Sequence, residues 1–395
     1  MRTQCNAEQL QFSCVGRRRV VAAFDGGQVT SDAGALLLMR TDRAIGLIDR
    51  LARCFIDRRS QTDIEHSVRT LVGQRVLGIA AGYEDLNDHD ALRVDPLWAA
   101  VIGKLEAKRA QCAPLAGKST LNRLELSVAE RTTRYHKIGH RPEALERLFV
   151  DLFLEAHRKA PRQIVLDLDA TDDPLHGTQE GRFFHGYYDA YCYLPLYIFC
   201  GQHLLVAKLR RSNIDASSGA REEVERLVAQ IRARWPRVRI ILRADSGFAR
   251  EELMFWCEQN AVDYVFGLAR NERLERRLSA ALHEAKEKAA RTGRPARVFR
   301  QFRYATLKSW SRRRRVIGKA EHIADKANPR FIVTSLGREE WQPKPLYEQL
   351  YCCPRGDGEP HQGGAARALC RPDLFAHLPR QSAAAVAGLF RLRVD

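Results

Sequence analysis

The chain has 395 residues, with 65 Lys and Arg against 48 Asp and Glu and a formal net charge of +17. That length holds two or three domains with real cores, and the positive excess points to a polyanionic partner, nucleic acid first, over a merely basic soluble enzyme. The ten cysteines form no C-x-x-C pair, so neither a zinc site nor a disulfide framework is expected. No stretch approaches 18 consecutive apolar residues and the start lacks the charged and apolar regions of a signal peptide, so a cytoplasmic chain without membrane contact is expected.

In chain order, a short strand is expected at Val20–Phe24. Ser31 and Asp32 are natural N-caps for the apolar residues at helical spacing that run to 57. Residues 62–82 and 119–157 read the same way, with Arg, Glu and Lys on their outer faces. Residues 1–158 are therefore expected to form a mainly helical region. The pattern changes at "QIVLDLDA", a strand. An aromatic stretch, 187–201, and "HLLVAKLRR", 203–211, then make a hairpin. A helix (218–235), a strand (238–245), a helix (249–260) and a strand (262–269) follow. The order β-β-β-α-β-α-β is that of an RNase H-like sheet, in which the first and fourth strands are parallel neighbours, over residues 159–270. A charged helical stretch leads into further strands, a β-rich insertion spanning 271–337, and residues 338–395 complete the core. The fold class expected is α/β (α+β).

Asp167, Asp169, Asp172 and Asp173 crowd the end of the first strand. Like charges so close raise one another's pKa unless a cation or proton intervenes. Asp245 ends the fourth strand, so Asp169 and Asp245 are expected on one sheet edge, within reach of a shared divalent ion. Mg²⁺ takes one or two carboxylates plus substrate phosphates. Two such ions about 4 Å apart stabilise both the attacking and the leaving oxygen of a phosphoryl displacement. The alternative is a pair of turn aspartates with no metal.

The segments "LDLDATDDPLHGTQEG", "ILRADSGFAR", "LYEQLYCCPRGDGE", "FDGGQVTSDAGALLL", "QRVLGIAAGYEDLNDHDALRVDP" and "KSTLNRLE" resemble the DDE transposases of bacterial insertion sequences, most closely the group called the thirteen-eighty family. The resemblance covers roughly residues 15–357. It implies an RNase H-like core holding two Mg²⁺, for which Mn²⁺ can substitute. It also implies nicking at the element's terminal inverted repeats and attack of the freed 3′-hydroxyl on target DNA, by a dimer on double-stranded DNA in the bacterial nucleoid. The helical N-terminal region would bind the inverted repeats or dimerise. Matched residue by residue, Asp169 is the first acid, with Asp167 as the alternative, and Asp245 is the second. Asp172 and Asp173 cap a turn before Pro174. The third acid belongs to a Tyr-x-x-Arg-x-x-x-Glu pattern. Arg355 and Glu359 keep its Arg-to-Glu spacing, but Tyr351 lies one residue too far from Arg355. Arg355 and Tyr351 would meet DNA phosphate, and Glu359 would be the third metal ligand.

After Asp357 the resemblance stops. Where the family carries a helix with the Glu and a Lys, this chain reads "GEPHQGGAARALC", and Pro360 with Gly363–Gly364 opposes a helix. Codons for Glu-Asn-Arg-Ile-Lys-Glu read out of phase give Glu-Pro-His-Gln-Gly, the string at 359–363. A reading-frame slip near codon 357 is the expectation, making about 38 residues non-native. It would leave either an enzyme or an impaired remnant that only binds DNA. A divergent but genuine terminus is the other reading.

Arg312, Arg313, Arg314 and Arg315 beside Trp310 are candidates to grip phosphates while the indole stacks on a base. A solvated basic strand edge is the alternative. Asp167-x-Asp169-x-Thr171 also matches the strand-end motif of haloacid-dehalogenase-like phosphatases, a remote alternative. Those folds place a helix after the first strand, where this sequence has an aromatic hairpin.

Overall fold

The computed structural model describes residues 9–15, 18–23, 30–129, 136–178, 181–186, 189–323 and 326–352, the first two segments as backbone. The chain divides between Arg141 and Pro142 into two compact units.

The first unit opens with an antiparallel pair, β1 (Gln9–Val15) and β2 (Arg18–Ala23). Helices α1 (Ala35–Ile45) and α2 (Leu47–Ala52) are separated by Gly46, whose φ of 66° breaks the single helix the periodicity predicts. Strand β3 (Phe55–Asp57) follows, then α3 (Val68–Ala80), α4 (His89–Leu92), α5 (Pro96–Ile102) and α6 (Lys118–Glu125). Strand β4 (Ile138–His140) pairs antiparallel with β3, so the helix expected over 119–157 is interrupted. Asp32 is not the cap of α1. Its carboxylate accepts hydrogen bonds from Trp98 Nε1 at 2.7 Å and Tyr83 Oη at 2.8 Å, tying the segment before α1 to the buried indole.

Two buried rings make this unit acid-sensitive. Burial pushes His89 down to about 4, with Arg75 adding to it, and burial followed by Lys104 does the same to His66. A depressed histidine contributes stability that is complete above pH 6.5 and is lost as pH falls toward 4. The loss should be on the order of 3 kcal/mol per ring. Thermal melts across that window should show it, and His89→Gln should flatten the dependence.

The second unit begins with α7 (Pro142–Ala156), which Pro142 starts and whose Phe153 packs edge-on against Trp235 and His203. Strand β5 (Gln163–Ala170) enters the main sheet. Next come β6 (Asp173–Pro174), β7 (Phe183–His185) and β8 (Ala190–Tyr193), which form a separate small sheet in the order β6-β8-β7. The aromatic strand expected over 187–201 is thus divided at Leu194–Pro195, where proline has no N–H to give a ladder. Its second half, β9 (Leu196–Cys200), returns to the main sheet with β10 (His203–Lys208). Helix α8 (Ala220–Arg234), β11 (Arg239–Ala244), α9 (Glu251–Gln259) and β12 (Asp263–Leu268) follow. Then come α10 (Glu272–Thr292), β13 (Ala296–Tyr304), β14 (Arg314–Ile323), β15 (Lys326–Ala327), β16 (Arg330–Thr334) and a short helix, α11 (Pro343–Pro345). A π-helical turn, Leu346–Tyr351, closes the described chain.

The sheet order is β10-β9-β5-β11-β12-β16-β14-β13. Its first five strands carry the expected pattern, antiparallel at β10-β9 and β9-β5 and parallel at β5-β11 and β11-β12. The strands expected as a separate insertion instead extend this sheet, since β16 pairs antiparallel with β12 and β14 with β16. Apolar side chains of helices α7 to α10 cover one face around Leu166, Leu168, Ile240 and Leu242. On the other face Ile241, Val265, Ile317 and Ile332 meet Leu346, Tyr347 and Leu350 of the π-helical turn. The alternation along β5 and β11 therefore sends Asp167, Asp169, Arg243 and Asp245 to the face that this last turn covers.

Candidate active site

Register sets the site. On parallel β5 and β11, Asp167 is opposite Arg243 and Leu168 opposite Ala244. That register ends there, and the residues that follow on the two strands are Asp169 and Asp245. Asp169 is opposite Tyr197 of β9, one pair before that ladder ends at Ala170 and Leu196, and is half-buried. Asp245 begins a 3-10 turn, Ser246–Phe248, and accepts the Gly247 N–H at 2.8 Å. Its side chain faces solvent, yet the protein packed around it removes enough hydration to raise its pKa above the ordinary aspartate value, against the lowering effects of the Gly247 N–H and Arg250.

Asp167 is engaged elsewhere. It is 1% exposed, and Arg243 grips it with two hydrogen bonds, Nε to Oδ1 at 2.5 Å and Nη2 to Oδ2 at 2.9 Å. Arg243 Nη1 also donates to the Leu350 carbonyl at 2.7 Å. One guanidinium therefore ties both central strands to the C-terminal turn, one pleat below the two acids.

Tyr351 reaches the same edge from that turn. A Cβ on Gly267 of β12 would stand 2.7 Å from the Tyr351 hydroxyl, 2.8 Å from Ser246 N and 3.0 Å from the Asp245 carbonyl carbon. Only glycine allows the chain to approach Asp245 this closely. Gly267 and Arg243 were not among the residues singled out from the sequence. The only signal was a glycine inside an otherwise β-branched and aromatic strand, "VDYVFGLA". Burial, then Cys352 and Asp245, raise the Tyr351 pKa, so its hydroxyl stays protonated beside the acids.

Asp173 does not cap a turn; with Pro174 it forms β6, opposite Tyr193 and Cys192. Burial and then Asp172 raise its pKa. Arg355, Glu359 and the suspected frame slip lie outside the described residues. Among the described residues no cluster of three or more His, Cys, Asp or Glu is placed to hold a metal. The carboxylates of Asp169 and Asp245, each the next residue after the paired Leu168 and Ala244, are hard oxygen donors of the kind a divalent cation such as Mg²⁺ takes.

The arginine run is mostly structural. Arg314 is buried, pairing with Glu251 at 2.5 Å and Glu258 at 2.6 Å. Arg315 is buried on neutral acceptors, Gln301 Oε1 and the Leu336 and Trp341 carbonyls. Trp310 is buried edge-on against Tyr304 with Arg314 over its ring, so its face is not open to a DNA base. Arg312 and Arg313 remain exposed, Arg312 over Phe255. Accordingly Trp310→Ala should cost about 3–5 kcal/mol of stability with little change in DNA affinity per folded molecule, measured by denaturant melts beside a binding titration.

After β5 the chain returns as β9, an antiparallel neighbour, rather than through the helix that a haloacid-dehalogenase-like fold requires. No curated protein matches the chain. Residues 12–362 match the family described as transposase DDE domain, group 1, which spans both units and the two strand-end aspartates. The chain belongs to this family of DDE transposases.

Proposed function

We propose that the chain cleaves DNA at the ends of an insertion sequence and joins the freed 3′-hydroxyl to target DNA in a Mg²⁺-dependent reaction. The observation that supports it best is the parallel register of β5 with β11, which ends at Leu168 opposite Ala244, the residues just before Asp169 and Asp245. In this reading the two carboxylates hold the metal, Glu359 is the third ligand and Arg355 and Tyr351 meet the phosphates. Bound there, divalent ions would supply charge stabilisation to the attacking and leaving oxygens. Arg243 holds both strands, and Asp167 serves it as counter-ion instead of serving the metal. The partners proposed are double-stranded DNA carrying terminal inverted repeats, target DNA and a second copy of the chain. No described helix is long and apolar enough to cross a membrane, and the proposed location is the bacterial cytoplasm at the nucleoid.

A second reading, a remnant that binds DNA without cutting it, is favoured by the sequence break after Asp357. Incubating the protein with Mg²⁺ or Mn²⁺ and DNA carrying the element's flanking repeats, alongside Asp245→Ala, separates the two. Nicking lost in the variant supports the enzyme. Binding without nicking in the wild type supports the remnant.

A further inference from the structure

Where β14 begins and β13 and β16 end, an open cavity of about 530 Å³ is lined by Arg303, Arg312, Arg313, Arg314, Arg315 and Arg338. Among its described lining residues Glu258 is the single carboxylate, and Arg314 and Arg312 already occupy it, at 2.6 and 3.4 Å. Arg303 and Arg315 stand directly opposite each other on β13 and β14, an arrangement of like charges that destabilises a sheet. Arg315 is 8% exposed and its donors end on neutral acceptors, so it carries a buried charge without a counter-ion. Burial and then Arg338 lower its pKa. Arg303, Arg313 and Arg338 are exposed, and none pairs with a carboxylate among the described residues. Such a cavity is balanced by an anion from outside.

We infer that this cavity holds the phosphodiester backbone of DNA, making a second contact with the duplex away from the carboxylate edge. The inference rests on the transposase reading for its choice of anion. Strand β14 lies three strands across the sheet from Asp245, in the order β11-β12-β16-β14. That is roughly 14 Å across the sheet at the spacing of neighbouring strands, and the register sets Arg313 about four residues, roughly 13 Å, along the strands from the level of Asp245. The separation of about 20 Å is inside one helical turn of duplex DNA, about 34 Å. Arg303, Arg313 and Arg338 bind the phosphates. Arg315, beneath them, adds to the potential without leaving its buried acceptors.

The test is the salt dependence of binding to a short DNA duplex, for wild type and for a double variant, Arg313→Ala with Arg338→Ala. Both side chains are exposed, so the melting temperature should not move. The slope of log K against log salt should fall by about two, near 0.9 for each phosphate that is no longer neutralised. The paired lysine variants, Arg313→Lys with Arg338→Lys, should restore it. An unchanged slope in the alanine variant overturns the inference. Inorganic triphosphate seated in the cavity without displacing the duplex also overturns it, by assigning the site to a small anion. If the wild type fails to bind DNA at all, the transposase reading itself falls, which separates the two failures.

Discussion

Replacing Arg243 by alanine should destabilise the second unit by about 3–5 kcal/mol, the range for a buried ion pair that loses one partner. Asp167 would remain 1% exposed with its principal cation gone, and the Leu350 carbonyl would lose the donor that ties the C-terminal turn to β11. Lysine should not rescue the loss, because one ammonium cannot reproduce the two-point grip on the carboxylate and still reach Leu350. The double variant Asp167→Leu with Arg243→Met should recover much of the stability, since it removes both charges together. Urea denaturation of the four proteins gives the comparison. The recovered double variant should still be impaired in DNA cleavage, because the frame beneath Asp169 and Asp245 would be held by apolar packing alone.

Substituting Gly267 by alanine should lower DNA cleavage by more than about 100-fold, beyond the 10–100-fold that loss of an outer-shell partner costs a metal site. Overpacking should cost only about 1–3 kcal/mol of stability. The new methyl group would stand 2.8 Å from Ser246 N and 3.0 Å from the Asp245 carbonyl carbon, and both of these are backbone atoms. A flexible side chain could swing aside, but here the strand end carrying Asp245 must move. Cleavage assays beside melts of the same preparation separate the two effects. Full activity with a lowered melting temperature would show that the close approach serves packing alone.

The five-strand RNase H-like order was legible because each strand carries its own local pattern and the helix between β11 and β12 forces a parallel crossover. Asp169 and Asp245 were singled out as the last acids of two strands expected to be parallel neighbours, whereas the first polar residues of those apolar runs are Asp167 and Arg243. The role of Asp167 was not legible, because its partner Arg243 is 76 residues away and only register brings the two together. The same holds for the arginine run. Four consecutive arginines read as a grip on phosphates, or else as a solvated edge, but strand alternation turns Arg314 to one face and Arg315 to the other. Glu251 and Glu258, on α9, complete the burial of Arg314. Strands β13, β14 and β16 were foreseen as strands but assigned to an insertion of their own, since a strand pattern does not say which edge it will join. The division of the aromatic segment at Pro195 was available in the sequence, because a proline does not fit inside a central strand.

The central claim is that Asp169 and Asp245 together hold a divalent cation. Mn²⁺ binding followed by electron paramagnetic resonance, with wild type, Asp169→Asn and Asp245→Asn, tests it without relying on turnover. These substitutions keep the side-chain volumes and remove one charge each. The wild type should bind Mn²⁺ in competition with Mg²⁺, and affinity should fall as acid protonates Asp245 at a pH where an ordinary aspartate is still ionised. Each variant should weaken binding at least about tenfold. Equal Mn²⁺ affinity in all three proteins would contradict the account.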